Sequence, residues 1–250
     1  RKALFFDIDG TLLSDHKKEL PESAARVIAQ ARRAGHLVFI NSGRARCLMQ
    51  EVEAALPVDG YVCGCGTYLE IQGKKVLDHV IGRERRLELQ KSILDGILEG
   101  PEGCAVQSQV SRLEEMERVK ELFIKSGVVH PWDWKKEAAE FDKFCVLADE
   151  KSDVDGFLRS LAPDMAYIDR GRGLYECVPA GYDKATAMEF ILKYFRIPRE
   201  ESYAFGDSAN DLAMIQYAGH SVIMGQHDRI LEPYASFITR NVEDDGIAFA

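Results

Sequence analysis

The 250-residue chain is short of basic charge: 32 Lys and Arg stand against 41 Asp and Glu, a formal net charge of −9. Nucleic-acid binding needs a basic face, so this balance argues against it. An anionic small molecule stays open as a ligand, because a bound cation with a few Arg and Lys side chains can invert the field inside a cleft. Cysteine is also scarce. Of the six, Cys63 and Cys65 are the one close pair, with no second pair at zinc-ligand spacing and no His cluster beside it. They read as small buried residues in a reducing compartment, which implies the cytoplasm. No apolar run approaches the roughly 20 residues of a membrane helix, so no membrane partner is expected, and no signal-peptide pattern leads into the first strand. Internal repeats and low-complexity tracts are missing as well.

What is there is a set of acidic turns after strand-like runs. Ala3-Leu4-Phe5-Phe6 reads as a strand buried on both faces, as in a parallel sheet. It runs straight into Asp7-Ile8-Asp9-Gly10-Thr11. In open α/β sheets ligands collect beyond the carboxyl ends of the strands. Two carboxylates held there can bind a hard cation through oxygen, and one of them can attack phosphorus. The plain alternative is an acidic turn. Far along the chain, Ser202-Tyr203-Ala204-Phe205 reads as another strand, followed by Gly206-Asp207-Ser208-Ala209-Asn210-Asp211 and a helix-like run. Gly206 permits close backbone approach. Asp207 is placed to complete a cation site, and Asn210 or Asp211 could cap the helix.

Alternation of strands and helices in both terminal segments predicts a parallel sheet with right-handed crossovers. Helices are expected over 22–34, 45–56, 186–195 and 212–218, with strands at 36–40, 61–63, 68–71, 75–80, 203–205, 221–224 and 237–239. Residues 228–234 read as a short helix and Ile247 to Ala250 as the start of another. Between Gly82 and Gly181 the pattern becomes mixed: helices over 85–98, 113–126 and 154–161, and strands at 104–109, 144–148, 165–169 and 174–178. The fold class is therefore α/β. A Rossmann-like parallel-sheet core is formed by residues 1–81 plus 182–250, with an inserted α+β cap at 82–181.

Four motifs in order make the chain resemble the haloacid dehalogenase superfamily of phosphatases, in its Cof-type branch with a large inserted cap. They are Asp7-Ile8-Asp9-Gly10-Thr11, then Asn41-Ser42-Gly43-Arg44 after the strand Leu37-Val38-Phe39-Ile40, then Lys184 in Gly181-Tyr182-Asp183-Lys184, and Gly206-Asp207 through Asp211. Ala185 and Asn41 depart from the Gly and the small residue common at those places.

The resemblance implies a Mg2+-dependent phosphomonoester hydrolase acting on a small phosphorylated metabolite. It implies Asp7 as nucleophile and Asp9 as general acid and then base. Metal would be held by Asp7, the main-chain carbonyl of Asp9, and Asp207. Ser42 and Lys184 would bind the phosphoryl group, with Gly43 and Arg44 beside it. Asn210 would position substrate or nucleophile, and Asp211 would orient Lys184 or a metal-bound water. Taken alone, Lys184 reads as a surface charge, Ser42 as a helix cap, and Arg44 as the partner of either phosphate or a nearby carboxylate. In the cap, Trp132 and Trp134 either line the cleft or pack, and Arg170-Gly171-Arg172-Gly173 either reaches substrate or is a solvated turn.

A phosphomutase and a non-catalytic phosphometabolite-binding protein share this core, and the intact set Asp7, Asp9, Ser42, Lys184 and Asp207 argues against the second. P-loop NTPases are excluded because G-x-x-x-x-G-K-[ST] is missing. Cysteine- and histidine-based phosphatases find no support: no Cys is followed by five residues and an Arg, and there is no Arg-His-Gly.

Overall fold

The computed structural model describes residues 1–14, 17, 19–93, 95–107 and 139–250. Its strands, in chain order, are β1 (Ala3–Phe6), β2 (Leu37–Asn41), β3 (Gly60–Cys63), β4 (Tyr68–Ile71), β5 (Lys74–Asp78), β6 (Gly96–Glu99), β7 (Cys104–Gln107), β8 (Lys143–Leu147), β9 (Met165–Asp169), β10 (Leu174–Pro179), β11 (Ser202–Gly206), β12 (His220–Ile223) and β13 (Phe237–Ile238). They form an eight-stranded sheet, β13-β12-β11-β1-β2-β3-β4-β5, and a five-stranded sheet, β7-β6-β8-β10-β9. Two compact units result. One comprises Arg1–Gly43, Gln50–Leu77 and Asp183–Ala250; the other comprises Arg44–Met49 and Asp78–Tyr182. The sequence reading changes domain at 82 and 182, whereas these units change at 78 and 183, and the second unit also takes in 44–49.

In the first unit β1 lies between β2 and β11 and runs parallel to both, with Ala3 opposite Leu37 and Ser202. Pairs β2–β3, β11–β12 and β12–β13 are also parallel, and β4 returns antiparallel to β3. Every residue of β2 is buried and β1 nearly so. Cover on both faces is why these strands are continuous apolar runs rather than alternating ones. Phe5 stacks on Phe39 at 5.2 Å and Phe6 on Phe205 at 4.3 Å. Each fully buried ring contributes about 1.5–3 kcal/mol of transfer free energy. The helix Lys184–Phe195 docks on this sheet through Ala187, Met188, Ile191 and Leu192, a stripe at helical spacing. The sheet order reverses direction at β1. The crevice beyond the ends of β1 and β11 is therefore the position where such sheets hold ligands.

The second unit has an antiparallel sheet with the helices Arg83–Ser92 and Val154–Ser160. Phe144 and Val146 of β8 join Leu89, Ile93, Leu98, Phe141, Leu161 and Cys177 in an apolar cluster. Strand alternation sends Lys143 and Cys145 to the other face.

Two expected helices are corrected. The single helix over 85–98 stops at Ser92, Ile93 is extended, and Gly96–Glu99 is strand β6. A short apolar run such as Ile97-Leu98 does not separate buried strand from helix by period alone. Gly96 decides it, since a Cβ there would lie 2.7 Å from the Cys145 carbonyl oxygen, a closeness that pairing with β8 requires. The expected 45–56 helix is a 3-10 turn at Arg46–Leu48 followed by a helix over Gln50–Ala55. Ala45 and Cys47 pack against Cys104, and that tertiary contact overrides local propensity. The expected 113–126 helix, Trp132 and Trp134 lie outside the described residues. Among the described residues no helix is long and apolar enough to cross a membrane.

Candidate active site

The first unit gathers its acidic turns around one lysine. Asp7 leaves the end of β1, and its N–H donates to Phe205 O at 3.0 Å, so the chain is still paired with β11 where the carboxylate begins. The next residues fold back at once: Thr11, Leu12 and Leu13 all donate N–H to Ile8 O. Gly10 has φ +83°, and a Cβ there would lie 2.3 Å from Asp207 Oδ2. Only glycine lets this turn approach the second acidic loop so closely. Thr11 fastens the two loops by donating Oγ1–H to Asp207 Oδ1 at 2.8 Å.

Asp211 is fully buried and fully engaged. Its Oδ2 accepts from Asp207 N at 2.9 Å and Ser208 N at 3.0 Å, and its Oδ1 accepts from Lys184 Nζ at 2.5 Å. Lys184 also reaches Asp7 Oδ1 at 2.7 Å. Lys184 is the first residue of its helix, which Asp183 opens with a reciprocal cap: Thr186 N–H donates to Asp183 Oδ1 at 2.7 Å, and Asp183 N–H to Thr186 Oγ1 at 3.0 Å. The turn Gly64-Cys65-Gly66 abuts this helix start. A Cβ on Gly66, at φ +102°, would meet Asp183 O at 2.5 Å.

Burial and crowding set the electrostatics. Burial pushes the Asp7 carboxyl up to about 7; the Asp211 charge adds to this, and Lys184 opposes it. Burial raises Asp207 to about 9, helped by Asp7 and Asp211 and resisted by the Thr11 hydroxyl. Burial works against the Lys184 ammonium, but Asp211 and Asp7 outweigh it and hold the group well above its ordinary value. One ammonium thus faces three carboxylates whose oxygens lie within 4.8 Å of one another. That donor set fits a hard divalent cation: it is all oxygen, and it carries more negative charge than Lys184 alone offsets. Because both oxygens of Asp211 are engaged within the protein, Asp7 and Asp207 are the side chains suited to hold the ion.

The other expected site residues are placed as follows. Asp9 is half-buried two residues past Asp7, and its charge adds to the upward push on that carboxyl. Ser42 is buried at the end of β2, with its N–H donating to Val62 O and its carbonyl accepting from Cys65 N–H. Gly43 follows it, also buried. Asn210 is buried, and its Oδ1 accepts from Ser208 Oγ at 3.1 Å. Arg44 belongs to the second compact unit, where its Nη1 donates to Leu48 O at 3.4 Å. Arg170 pairs with Glu176 at 2.8 Å, and Arg172 sits in a left-handed turn at φ 54°. Sequence reasoning missed Thr11, Gly66 and the tie from Asn41 to Lys184. Gly10-Thr11 was visible as a turn, but its closeness to Asp207, 196 residues from Thr11, depends on β1 and β11 meeting in the sheet.

A mainly parallel α/β sheet with an acidic, lysine-bridged cluster beyond its central strand is a place where a ligand and a hard cation can be held. The haloacid dehalogenase-like hydrolase family matches residues 4–250. The YkrA protein of Bacillus subtilis (strain 168), whose name gives a phosphatase and no substrate, is 28% identical over 255 residues, spanning 100% of this chain and 96% of YkrA. The phosphoglycolate phosphatase of Methanothermobacter thermautotrophicus is 27% identical over 250 residues, covering 100% and 96%. The HAD subclass IIB sugar phosphatase BT4131 superposes with a TM-score of 0.84 at 25% identity, covering 99% and 96%. The chain belongs to the haloacid dehalogenase-like hydrolases and is a phosphatase enzyme of that family.

Proposed function

We propose that the protein hydrolyses a small phosphorylated metabolite through an aspartyl-phosphate on Asp7, with Mg2+ as its divalent cation. The observation that carries this reading is the bridge from Lys184 Nζ to Asp7 at 2.7 Å and Asp211 at 2.5 Å, beside the Asp207 carboxylate. Lys184 engages Oδ1 of Asp7. The Asp7 carboxylate forms a bond to phosphorus as the bond to the leaving oxygen breaks, and Asp9 gives its proton to that oxygen. Asp9 then takes a proton from water, the resulting hydroxide attacks phosphorus, and the bond to Asp7 breaks to release phosphate. An anion approaching a dianion is repelled, and Lys184 offsets that charge throughout. Asp211 holds the ammonium in place. Ser42, with Gly43 beside it, and Asn210 orient the phosphoryl group. Mg2+, held by Asp7, Asp207 and the main-chain carbonyl of Asp9, would supply further neutralisation of charge on the phosphoryl oxygens.

The second compact unit acts in this reading as the cap that selects the substrate. Relatives named for phosphoglycolate, for a phosphoribitylamino-uracil and for sugar phosphates support a small phosphorylated metabolite as the class. The test is acid quench during turnover, followed by borohydride reduction and peptide mass spectrometry. Reductive marking at position 7, lost in Asp7→Asn, supports the covalent route. Turnover with no marking at any carboxylate would refute it.

A further inference from the structure

Asn41 ends β2, one residue before Ser42, and its side chain is 0% exposed. Its Nδ2 donates to the main-chain carbonyl of Lys184 at 2.9 Å and lies 3.5 Å from Met214 Sδ. Its Oδ1 is buried with no hydrogen-bond partner among the described residues. The orientation of the amide follows from these contacts, because turning it over would set Oδ1 against the Lys184 carbonyl, acceptor against acceptor. As a stabilising element the residue is a poor choice. Leaving a buried acceptor unmade costs at least as much as one neutral hydrogen bond returns. An apolar side chain of similar size would fill the same space against Met214 without that cost. A residue that burdens stability beside a reactive centre points to function.

What the amide grips is the main chain of the lysine whose ammonium bridges Asp7 and Asp211. The Lys184 carbonyl belongs to the first residue of its helix, so a helical partner four residues on already satisfies it, and the Asn41 bond comes in addition. The Asp183–Thr186 cap and the Gly66 turn constrain the residue just before. Asn41 is the side chain from β2 that reaches Lys184 itself. The ammonium sits at the end of a four-carbon stem, and its two short contacts depend on where that stem is rooted.

We infer that Asn41 is a positioning residue. Its amide pins the main chain at Lys184, so that the ammonium stays between Asp7 and Asp211. The inference rests on the reading of Lys184 as the group that offsets charge in phosphoryl transfer.

The test uses the full chain with p-nitrophenyl phosphate and saturating Mg2+, comparing wild type, Asn41→Leu, Asn41→Ala and Lys184→Met, each with its melting temperature. Asn41→Leu removes both the donor and the orphaned acceptor while keeping the branched shape and the number of heavy atoms. It is expected to lower kcat about tenfold, the scale on which small misplacements act, with KM within twofold of wild type and Tm unchanged or higher. Asn41→Ala is expected to show the same loss of kcat with a lower Tm. A fall in kcat without a fall in Tm is what packing alone would not produce. Wild-type kcat in Asn41→Leu, with Lys184→Met inactive, overturns the positioning role and leaves the reading of Lys184 standing. Wild-type kcat in Lys184→Met overturns both.

Discussion

Each compact unit buries a lysine between two carboxylates, and the two clusters differ in how their charges balance. In the second unit Lys143 lies 3.0 Å from Glu99 and 2.9 Å from Glu176, and Arg170 holds the other oxygen of Glu176 at 2.8 Å. These four charges cancel. In the first unit Lys184 meets Asp7 and Asp211, but Asp207 crowds in as a third carboxylate, and burial and repulsion push Asp7 and Asp207 far above the carboxylate range. A balanced buried network specifies a fold. An unbalanced one is a standing demand for positive charge, which a cation can meet. The position in the fold agrees: the unbalanced cluster sits beyond the carboxyl ends of central parallel strands, and the balanced one lies on a strand face of an antiparallel sheet.

The largest expected effect breaks the first cluster chemically while keeping its shape. Asp7→Asn is nearly isosteric, but its amide is a poor nucleophile, so kcat on p-nitrophenyl phosphate falls on the order of a thousandfold or more. Circular dichroism should stay unchanged. Retention of a tenth of wild-type kcat would mean the acidic cluster is not the reacting group.

Breaking the second cluster should show up in stability. Lys143→Met leaves Glu99 and Glu176 buried without their shared ammonium, at a cost of about 3–5 kcal/mol in urea unfolding. Among molecules that remain folded, kcat for p-nitrophenyl phosphate should stay within about threefold. A selective loss of kcat at full stability would move Lys143 into the chemistry.

A smaller effect follows from the raised carboxyls. Asp7 at about 7 and Asp207 at about 9 bind protons more tightly folded than unfolded, where both lie near 3.8. Their contribution to stability is therefore fully present below pH 4 and is lost progressively as pH rises, completely for Asp7 once pH passes about 7 and for Asp207 once it passes about 9. For the metal-free protein, this predicts a Tm falling by a few degrees between pH 6 and 9, and a flatter profile with Mg2+. Calorimetry with EDTA and with Mg2+ checks it. A metal-free profile as flat as the Mg2+ one would mean the cluster is less crowded than its geometry indicates.

The smallest change lies in the turn Arg170–Gly173. Arg172→Ala should leave p-nitrophenyl phosphate hydrolysis within about twofold while reordering kcat/KM across a panel of sugar, nucleotide and cofactor phosphates. An unchanged ranking removes this turn from substrate selection.

The positions of the acidic turns were legible because each follows an apolar run, and strand-then-turn is written in consecutive residues. Asp7 and Asp207 could be singled out that way, and so could the parallel core, from alternating strands and helices, whereas Lys184, a surface charge when read alone, stood out only through the family resemblance. The contacts made by Thr11, Asn41 and Gly66 were not legible. Each depends on close approach between segments far apart in the chain, and no local pattern encodes which turn faces which. Asn41 was visible only as an unusual residue beside Ser42, whereas its amide turns away to Lys184. The 85–98 segment failed for a different reason. Its apolar residues suit a helix and a buried strand alike, and the choice is made by pairing with β8.

The claim that imbalance marks the working cluster is tested most directly by titrating Mg2+ into the metal-free protein in a calorimeter, comparing wild type with Asp207→Asn and Glu176→Gln. The account predicts one site in wild type, affinity weakened at least about tenfold in Asp207→Asn through loss of an anionic oxygen ligand, and wild-type affinity in Glu176→Gln. Equal weakening in both variants, or undiminished binding in Asp207→Asn, would contradict it.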